Sequence, residues 1–375
     1  MRIAIMGTRG VPARYGGFET FAEELGARLV LRGHDVTVYC RSHFNDAALR
    51  DYRGMRLRVL PAIRHKYLDT VSHTALSVAD GLVRRFDVTL ICNNANAPFA
   101  LVPRLGGSRV VLNVDGLEWQ RAKWNRLGQW YYRTCAWLAP KLPIVLVSDA
   151  RVIAQWYRDR FGKQTVYIPY GTDAQRVAPG PTLEALRLEP ARYLLYVSRL
   201  EPENHADTVI AGYAAGGGLA GFGMPLVIVG DAPYASEFKA RLEELGAQTP
   251  GVKFTGYIFG DGYAELQSNA NMYIQATGVG GTHPALVEAM GRGACIVAND
   301  VPEHREVLGE AGRYYRRNDA TDLGTVLRDL AADGMARAAL GAAAAERAQA
   351  EFSWDRATDE YEALFTRIHS TRARR

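Results

Sequence analysis

The sequence alternates regularly between short apolar runs and longer amphipathic stretches, and this pattern limits the folds that the chain can adopt. The runs are rich in β-branched residues, and the stretches between them carry apolar residues at helical spacing. In the first half of the chain, strands are predicted at residues 2–6, 35–40, 56–60, 87–92, 109–114 and 144–147, with helices at 18–31 and 70–85. Alternation of this kind predicts a parallel sheet that is covered by helices on both faces.

The same alternation occurs a second time after an interruption. The pattern stops at a turn-rich stretch from Ile168 to about Pro190 and resumes with predicted strands at 193–198, 226–230, 252–255, 272–276 and 294–298. We therefore predict an α/β protein with two doubly wound, Rossmann-like domains, 1–170 and 171–353, facing a central cleft. Residues 335–349 and 354–371 are predicted helices, and the last one is expected to pack back on the first domain.

Composition excludes several other classes of protein. At 375 residues, 48% hydrophobic and 23% charged, the chain is unlike disordered or collagen-like sequences. No apolar run reaches the roughly 20 residues of a membrane span, and the start, MRIAIMGTRG, is predicted to be a strand rather than a signal peptide. The cysteines lack any C-x-x-C pair, which fits a reducing cytoplasm and disfavours a zinc site; they are Cys40, Cys92, Cys135 and Cys295.

The net charge of +5 is unevenly distributed, with +12 in residues 1–170 and −7 in the remainder. A basic front half indicates an anionic partner: phosphate, anionic lipid or nucleic acid. Residues 119–141 interleave aromatic and basic side chains: Trp119, Trp124, Trp130, Trp137, Tyr131 and Tyr132 with Arg121, Lys123, Arg126, Arg133 and Lys141. This mixture suits a membrane interface and, less well, single-stranded nucleic acid, while some members are equally compatible with core packing.

Two glycine-rich loops follow predicted strands and precede helices. In the front half, the loop from Gly7 ends with Gly16-Gly17 directly before a helix; it is either a turn that needs glycine or a place where a ligand approaches the backbone. It lacks the G-x-G-x-x-G spacing of nicotinamide-binding proteins, and no acidic residue ends the second strand. In the rear half, the loop 278–283 enters a helix at Pro284, in which Glu288 is placed to bind a ribose diol.

As an ordered set, these motifs resemble the retaining, GT-B glycosyltransferases of family 4. The segments GTRGVPARYGGFETFAEEL, DGLEWQRAKW, SRLEPEN and GGTHPALVEAMGRG are similar to a bacterial branch associated with rhamnosyl transfer in surface-polysaccharide synthesis. The resemblance implies that Glu288 contacts the ribose and Arg199 the diphosphate. The residues it implies for nucleotide and diphosphate binding are Glu288, Arg199, Asn204, Gly281, Thr282, His283, Ala285, Tyr257, Gly16 and Gly17, and for the donor sugar Gly280, Thr282 and His283.

Two positions depart from the family pattern. The first glutamate of the family's E-x7-E motif is Gly280 here, and the lysine expected five residues after Arg199 is Asn204. The former normally contacts the donor sugar and the latter neutralises phosphate charge, so UDP-glucose and GDP-mannose become less fitting donors. A 6-deoxy sugar on a dTDP carrier, held by neighbours such as Thr282 and His283, is compatible with both changes. His283 taken alone is equally well an ordinary loop histidine.

The catalytic candidates are Arg199, for the leaving diphosphate, and Asp115 and Glu118, which follow a front-half strand. Asp115 is placed to orient or deprotonate the acceptor hydroxyl, although an Asp-Gly turn is the alternative. By resemblance, the leaving diphosphate helps to remove the acceptor proton. No cofactor and no metal are expected, since neither a G-x-x-x-x-G-K-[ST] loop nor an acidic D-x-D pair occurs.

These observations predict a cytoplasmic enzyme, peripheral on the inner face of the cell membrane. It would transfer L-rhamnose from dTDP-rhamnose to a polyprenyl-diphosphate-linked saccharide, without a nucleic-acid partner. Three alternatives stay open: another donor such as UDP-glucose or UDP-N-acetylglucosamine, a nucleotide-sugar 2-epimerase on the same fold, and a nucleic-acid-binding module.

Overall fold

The computed structural model describes residues 1–14, 16–114, 116–121, 124–231, 235–278 and 280–371. Contacts between Cα atoms divide the chain into two compact units. The front unit contains Met1–Gln120, Trp124–Gly171 and the C-terminal segment from Trp354. The rear unit contains Thr172–Ser353 together with Arg121.

The described part of the front unit contains a sheet of eight strands, ordered β3-β4-β2-β1-β5-β6-β7-β8. The strands are β1 (Arg2–Met6), β2 (Asp35–Arg41), β3 (Asp51–Tyr52), β4 (Met55–Leu60), β5 (Val88–Cys92), β6 (Arg109–Val114), β7 (Val145–Ser148) and β8 (Val166–Tyr167). The helices between them are α1 (Gly17–Leu31), α2 (Asp69–Arg84), α3 (Leu101–Leu105), α4 (Arg126–Leu138) and α5 (Arg151–Phe161), with short 3-10 helices at Asn94–Ala100 and Glu118–Gln120. All strand pairs are parallel except β3 with β4.

Strand β1 shows why the front sheet is covered on both faces. Ile3 and Ile5 belong to one apolar cluster, whereas Ala4 and Met6 belong to a second cluster on the opposite face. All four side chains are fully buried. Because successive side chains of a strand point to opposite faces, a continuous apolar run is what a central parallel strand requires.

In the rear unit, the described residues form a six-stranded parallel sheet in the order β11-β10-β9-β12-β13-β14. Its strands are β9 (Leu194–Val197), β10 (Leu226–Val229), β11 (Val252–Gly256), β12 (Met272–Gln275), β13 (Ile296–Asn299) and β14 (Arg313–Tyr315). Its helices are α6 (Pro181–Leu186), α7 (Ala206–Ala215), α8 (Gly218–Phe222), α9 (Ser236–Gln248), α10 (Gly260–Asn269), α11 (Pro284–Gly291), α12 (Pro302–Leu308), α13 (Ala320–Ala332) and α14 (Gly334–Glu351), with a 3-10 helix at Pro202–Asn204. The two parallel, helix-covered sheets confirm the predicted α/β fold class.

The last helix, α15 (Trp354–Ser370), packs within the front unit. Tyr361 and Phe365 are fully buried in the same apolar cluster as Ile3. The amide of Asn113, near the end of β6, donates a hydrogen bond of 2.7 Å to the Tyr361 hydroxyl. Glu362 accepts hydrogen bonds of 2.8 Å from Arg32 and His34, in the turn that follows α1. This helix therefore completes one face of the front sheet.

Candidate functional site

The strand order of the rear sheet brings two of the predicted loops to neighbouring positions. β9 and β12 are paired, with Leu194 opposite Met272. β10 and β11 lie on one side of this pair, and β13 and β14 on the other, so the strand order reverses here. Ligands of doubly wound sheets bind beyond the carboxyl ends of the strands at such a point. Arg199 follows β9 and the glycine loop 278–283 follows β12.

The turn after β9 is held together by Asn204. Its side-chain amide donates a hydrogen bond of 2.8 Å to the backbone carbonyl of Arg199, and the residue is buried. The Arg199 guanidinium is more accessible and lies 3.6 Å from Glu201 Oε1. Asn204 therefore has a structural use in this turn, in addition to the phosphate contact expected for it.

The glycine loop is joined to the same turn. The backbone N–H of Gly278 donates a hydrogen bond of 2.9 Å to the carbonyl of Glu203, and α11 begins at Pro284. The predicted residues of this loop and helix start lie as follows: Gly281 and Thr282 are buried, and Ala285 is half-buried. The predicted diphosphate residues after β9 and β12 thus lie at one edge of the rear sheet.

Glu288 is held by a partner that the sequence did not indicate. It lies in the second turn of α11 and is half-buried. The hydroxyl of Tyr263, from α10, donates a hydrogen bond of 2.6 Å to Glu288 Oε2. Burial and the nearby carboxylate raise the pKa of Tyr263 well above its usual value of 10, so the hydroxyl stays a donor at neutral pH. Tyr263 and Glu288 belong to two different helices and lie 25 positions apart in the sequence, so no local sequence pattern indicates their contact.

His283 fills the space beside Gly280. A Cβ atom at position 280 would lie 2.6 Å from His283 Cε1, so no side chain fits there while the ring keeps its place. The two ring nitrogens of His283 lie 3.4 and 3.3 Å from Thr277 Oγ1. Burial and the neighbouring His304 lower the pKa of His283 well below 6.5, so the ring is neutral at pH 7. Thr277 and His304 were not predicted as site residues.

Tyr257 lies beyond the end of β11. Its hydroxyl donates a hydrogen bond of 2.8 Å to the carbonyl of Asp231, and its ring stacks on Phe259 with 5.4 Å between the ring centres. The residue is half-buried at the same edge of the rear sheet as Arg199. Its expected place near the nucleobase stays a prediction.

Arg121 belongs by its contacts to the rear unit. Its guanidinium lies 3.9 Å from both Glu201 Oε2 and Glu203 Oε1, and the residue is 9% exposed. The side chain of Arg121 is therefore buried beside two carboxylates and does not belong to an exposed surface of the aromatic segment. Lys123, from the same segment, lies outside the described residues.

In the front unit, the loop after β1 is tied to α1. The backbone N–H of Arg9 donates a hydrogen bond of 2.8 Å to Glu19 Oε1, and this carboxylate is buried. Gly10 has a φ of +108°, and a Cβ atom there would lie 2.5 Å from Cys40. Gly10 thus serves the conformation and the packing of the loop itself.

Gly16 and Gly17, at the start of α1, differ from Gly10. Gly16 has an extended backbone, and the nearest atom to an added Cβ would be Glu19 Oε2 at 3.6 Å. Neither backbone conformation nor packing against the described residues of the front unit therefore requires glycine at position 16. Gly17 is the first residue of the helix. An unobstructed backbone before a helix is compatible with the close approach of an anionic ligand.

Two acidic residues of the front half, Asp115 and Glu118, are the candidates for a catalytic role toward the acceptor. Asp115 lies outside the described residues. Glu118 begins the short 3-10 helix Glu118–Gln120 and is 6% exposed. A catalytic role for either residue stays a prediction.

The described residues contain neither a cluster of metal ligands nor a membrane-spanning helix. Among the residues that the structure describes, no three His, Cys, Asp or Glu side chains are grouped so that they could hold a metal ion. No helix in this part of the chain is long and apolar enough to cross a membrane. All four cysteines are buried as free thiols.

Solved structures share this fold over nearly the whole chain. Sucrose-phosphate synthase from Thermosynechococcus elongatus matches with a TM-score of 0.79 and 20% identity, covering 99% of both chains. HepE from Anabaena in complex with UDP-glucose matches with a TM-score of 0.77 and 14% identity, covering 98% of this chain and 100% of its own. These similarities establish the GT-B fold. Together with the loops at the strand ends, they define the class to which the protein belongs, that of the GT-B fold.

Two family models locate the protein within that class. Residues 15–176 match the model described as Glycosyltransferase Family 4, and residues 191–333 match the model described as Glycosyl transferases group 1. The protein is a GT-B glycosyltransferase of the family 4 type.

Its curated relatives include two mannosyltransferases of Mycolicibacterium smegmatis. The phosphatidyl-myo-inositol mannosyltransferase is 30% identical over 216 residues, which is 56% of this chain and 53% of that protein. The GDP-mannose-dependent alpha-(1-6)-phosphatidylinositol monomannoside mannosyltransferase is 25% identical over 385 residues, covering 92% of this chain and 94% of its own. The chain therefore matches about half the length of the first relative and nearly all of the second.

Proposed function

We propose that the protein transfers L-rhamnose from dTDP-L-rhamnose to a saccharide carried on a polyprenyl diphosphate, with retention of anomeric configuration. The observation that carries the choice of donor is the arrangement of Gly280 and His283. The position that holds a glutamate in the family motif has no side chain, and a neutral imidazole fills the adjacent space. A 6-deoxy sugar offers fewer hydroxyl groups than glucose or mannose, so its binding depends less on a carboxylate at this position.

The chemistry assigned to the site is displacement of a nucleoside diphosphate. The bond between C1 of the sugar and the diphosphate oxygen breaks, and a bond from C1 to the acceptor oxygen forms on the same face. The acceptor proton passes to the departing diphosphate. Arg199 and the backbone N–H groups of the glycine loop would stabilise the negative charge that develops on this leaving group. These groups lie after β9 and β12, at one edge of the rear sheet.

Mannose from GDP-mannose is the second candidate donor, because both mycobacterial relatives are named as mannosyltransferases. Calorimetric titration would compare dTDP-L-rhamnose, GDP-mannose, UDP-glucose and UDP-N-acetylglucosamine, each beside its parent nucleoside diphosphate. We expect only dTDP-L-rhamnose to bind more tightly than its parent. A sugar-dependent gain with GDP-mannose alone would replace rhamnose by mannose.

A 2-epimerase on the same fold is the alternative with a different chemistry. It would consume its nucleotide sugar in the absence of any acceptor, whereas a transferase releases nucleoside diphosphate at a rate that depends on the acceptor. A nucleic-acid-binding module would instead bind oligonucleotides with a steep dependence on salt concentration. Neither behaviour is expected of this protein.

Peripheral contact with the inner face of the cell membrane is part of the proposal, and helix α4 supplies its support. Leu127, Trp130 and Trp137 are 69%, 63% and 52% exposed. Arg126 and Arg133 are also exposed and lie at the spacing that places them along the same side of the helix. Large apolar side chains interleaved with cations suit the interface of an anionic bilayer. We call these five residues the α4 face.

The other tryptophans of the segment have partners within the protein. Trp119 lies 5.0 Å from the ring of Trp156, and Trp124 lies 5.0 Å from the ring of Tyr132. The segment therefore divides into an inward aromatic group and the outward α4 face. Nearby, the Arg104 guanidinium of α3 donates a hydrogen bond of 3.0 Å to the carbonyl of Leu142, which links α3 to the chain after α4.

Vesicle flotation tests the membrane contact. The double variant Trp130→Ala/Trp137→Ala should bind vesicles containing anionic phospholipid at least about tenfold more weakly than the unaltered protein, since each tryptophan loses an interfacial contact. Met335→Ala is the matched control, because Met335 is 85% exposed in the rear unit. Equal flotation of the double variant and the control would refute the role of the α4 face.

A further inference from the structure

A basic turn follows strand β4 of the front unit, at the edge of the sheet where the parallel strands have their carboxyl ends. It spans residues 63–68, and we call it the basic turn. Its three basic residues are consecutive in the chain: Arg64 and His65 are exposed, and Lys66 is half-buried. Ligands of doubly wound sheets bind beyond this edge. The basic turn therefore presents cations where a ligand of the front unit is expected.

Hydrogen bonds hold the basic turn in its conformation. The backbone N–H of Leu68 donates a hydrogen bond of 3.1 Å to the carbonyl of His65. The N–H of Ile63 donates one of 3.0 Å to the hydroxyl oxygen of Ser72 in α2. The N–H of Tyr67 donates one of 3.3 Å to His65 Nδ1. Because Nδ1 accepts, a neutral His65 ring carries its proton on Nε2, and this exposed residue is a hydrogen-bond donor.

Aromatic packing joins the basic turn to the start of α4. The ring of Tyr67 lies 5.8 Å from the ring of Trp124. Lys66 Nζ lies 5.7 Å from the centre of the first ring and 5.9 Å from the centre of the second. Gly128, in the first turn of α4, leaves room for both rings, because a Cβ atom there would lie 3.2 Å from Trp124 and 3.4 Å from Tyr67. The α4 face, which begins at Arg126, is therefore a neighbour of the basic turn.

The positive charge of the basic turn is not balanced by a carboxylate of the turn itself. Among the described residues, no Asp or Glu side chain lies within ion-pair distance of Arg64 or His65. Asp69, the acidic residue that follows the turn, pairs with Arg41 at 2.5 Å and lies 3.2 Å from His43. Burial lowers the pKa of His43, and the charges of Arg41 and Arg64 lower it further. Arg64 therefore adds to the positive potential at the carboxyl end of β2.

We propose that the basic turn binds the diphosphate of the polyprenyl carrier at the membrane surface, with Arg64, His65 and Lys66 contacting its oxygens. This inference rests on the proposed membrane-bound acceptor, and it adds the residues that hold the carrier. Adjacent cations can bind several phosphate oxygens at once. Ile63 and Leu68, which are 56% and 45% exposed, are apolar side chains that suit the lipid beside a diphosphate at the interface.

Vesicle flotation with two lipid compositions tests this site. One set of phosphatidylcholine vesicles contains polyprenyl diphosphate, and the other contains anionic phospholipid at the same surface charge. The double variant Arg64→Gln/Lys66→Gln should bind the diphosphate vesicles at least about tenfold more weakly than the unaltered protein, because both cations contact the diphosphate. On the phospholipid vesicles, where only the general attraction to negative charge is lost, the change should stay within about threefold.

Arg158→Gln/Arg160→Gln is the matched control. It also removes two positive charges from exposed side chains of the front unit, but from α5. It should bind the diphosphate vesicles within about twofold of the unaltered protein. Equal losses on the two kinds of vesicle, a loss in the control as large as in the double variant, or no loss in the double variant would each overturn the assignment of the diphosphate to the basic turn.

The flotation result is separate from the test of the proposed function. Flotation needs no nucleotide sugar, so it decides whether the basic turn binds a diphosphate even if the protein transfers no sugar. Where sugar transfer is measured, Arg64→Gln/Lys66→Gln should raise the KM for the lipid-linked acceptor at least about fivefold and leave the affinity for the nucleotide sugar unchanged. Transfer with an unaltered KM for this acceptor would refute the diphosphate site while sugar transfer stands.

Discussion

Replacing Tyr263 by phenylalanine removes one defined interaction, the hydroxyl that donates to Glu288 Oε2 at 2.6 Å. A hydrogen bond to a charged group contributes about 1.5–3 kcal/mol. Glu288 is half-buried, so water replaces part of what is lost. We therefore expect about 1 kcal/mol, or roughly fivefold weaker nucleotide binding. Calorimetric titration with nucleoside diphosphate measures this change.

Tyr213→Phe is the matched control for this variant. The hydroxyl of Tyr213 donates a hydrogen bond of 2.9 Å to the backbone carbonyl of Met224, and the residue is fully buried in the same unit. Both variants lose one hydrogen bond donated by a tyrosine, but only Tyr263→Phe changes the surroundings of Glu288. If both variants bind nucleotide as tightly as the unaltered protein while Glu288→Ala does not, Tyr263 has no orienting role. Unchanged binding in folded Glu288→Ala would refute the ribose contact itself.

Three further outcomes are expected. Gly280→Ala places a Cβ 2.6 Å from His283. It should lower the affinity for the nucleotide sugar at least about tenfold, while the affinity for the parent nucleotide stays within about twofold. Nucleotide-sugar affinities that are equal in Gly280→Ala and the unaltered protein would contradict the steric argument. His304 titrates near 4 when folded and near 6.5 when unfolded, so stability should fall as pH drops from 6.5 to 4, by up to about 3 kcal/mol from this residue. In denaturant unfolding, the free energy of unfolding of His304→Gln should change less with pH over that range than that of the unaltered protein. An identical dependence on pH would refute the lowered pKa of His304. Activity should be complete in excess chelator, and a strict Mg²⁺ requirement would refute metal independence.

Much of the fold could be predicted because buried parallel strands carry a strong local signal. Residues 109–114 coincide with β6, and the other predicted strands agree with the structure to within about two residues at each end. The short strands β3, β8 and β14 were not predicted. With two or three residues each, they lie at or near the ends of their sheets and are too short to show a period.

The candidate site could be predicted only where its residues follow a strand closely in the sequence. Arg199 lies just after β9, and Glu288 lies in the helix that the loop after β12 enters, so the chain itself carries both to the carboxyl edge of the rear sheet. Tyr263 and His304 reach the same region from other helices, through contacts 25 and 27 residues apart in the chain. No propensity or spacing indicates such contacts. The burial of Arg121 was missed for the same reason, because its neighbours Glu201 and Glu203 are distant in sequence.

Sugar transfer is tested by measuring the release of nucleoside diphosphate from a nucleotide sugar, with and without a polyprenyl-diphosphate-linked saccharide. Sugar transfer predicts release that depends on the acceptor, a glycosylated lipid product that keeps the donor's anomeric configuration, and loss of both in Glu288→Ala. Consumption of the nucleotide sugar at the same rate without acceptor, and without a glycosylated product, would contradict a glycosyltransferase activity.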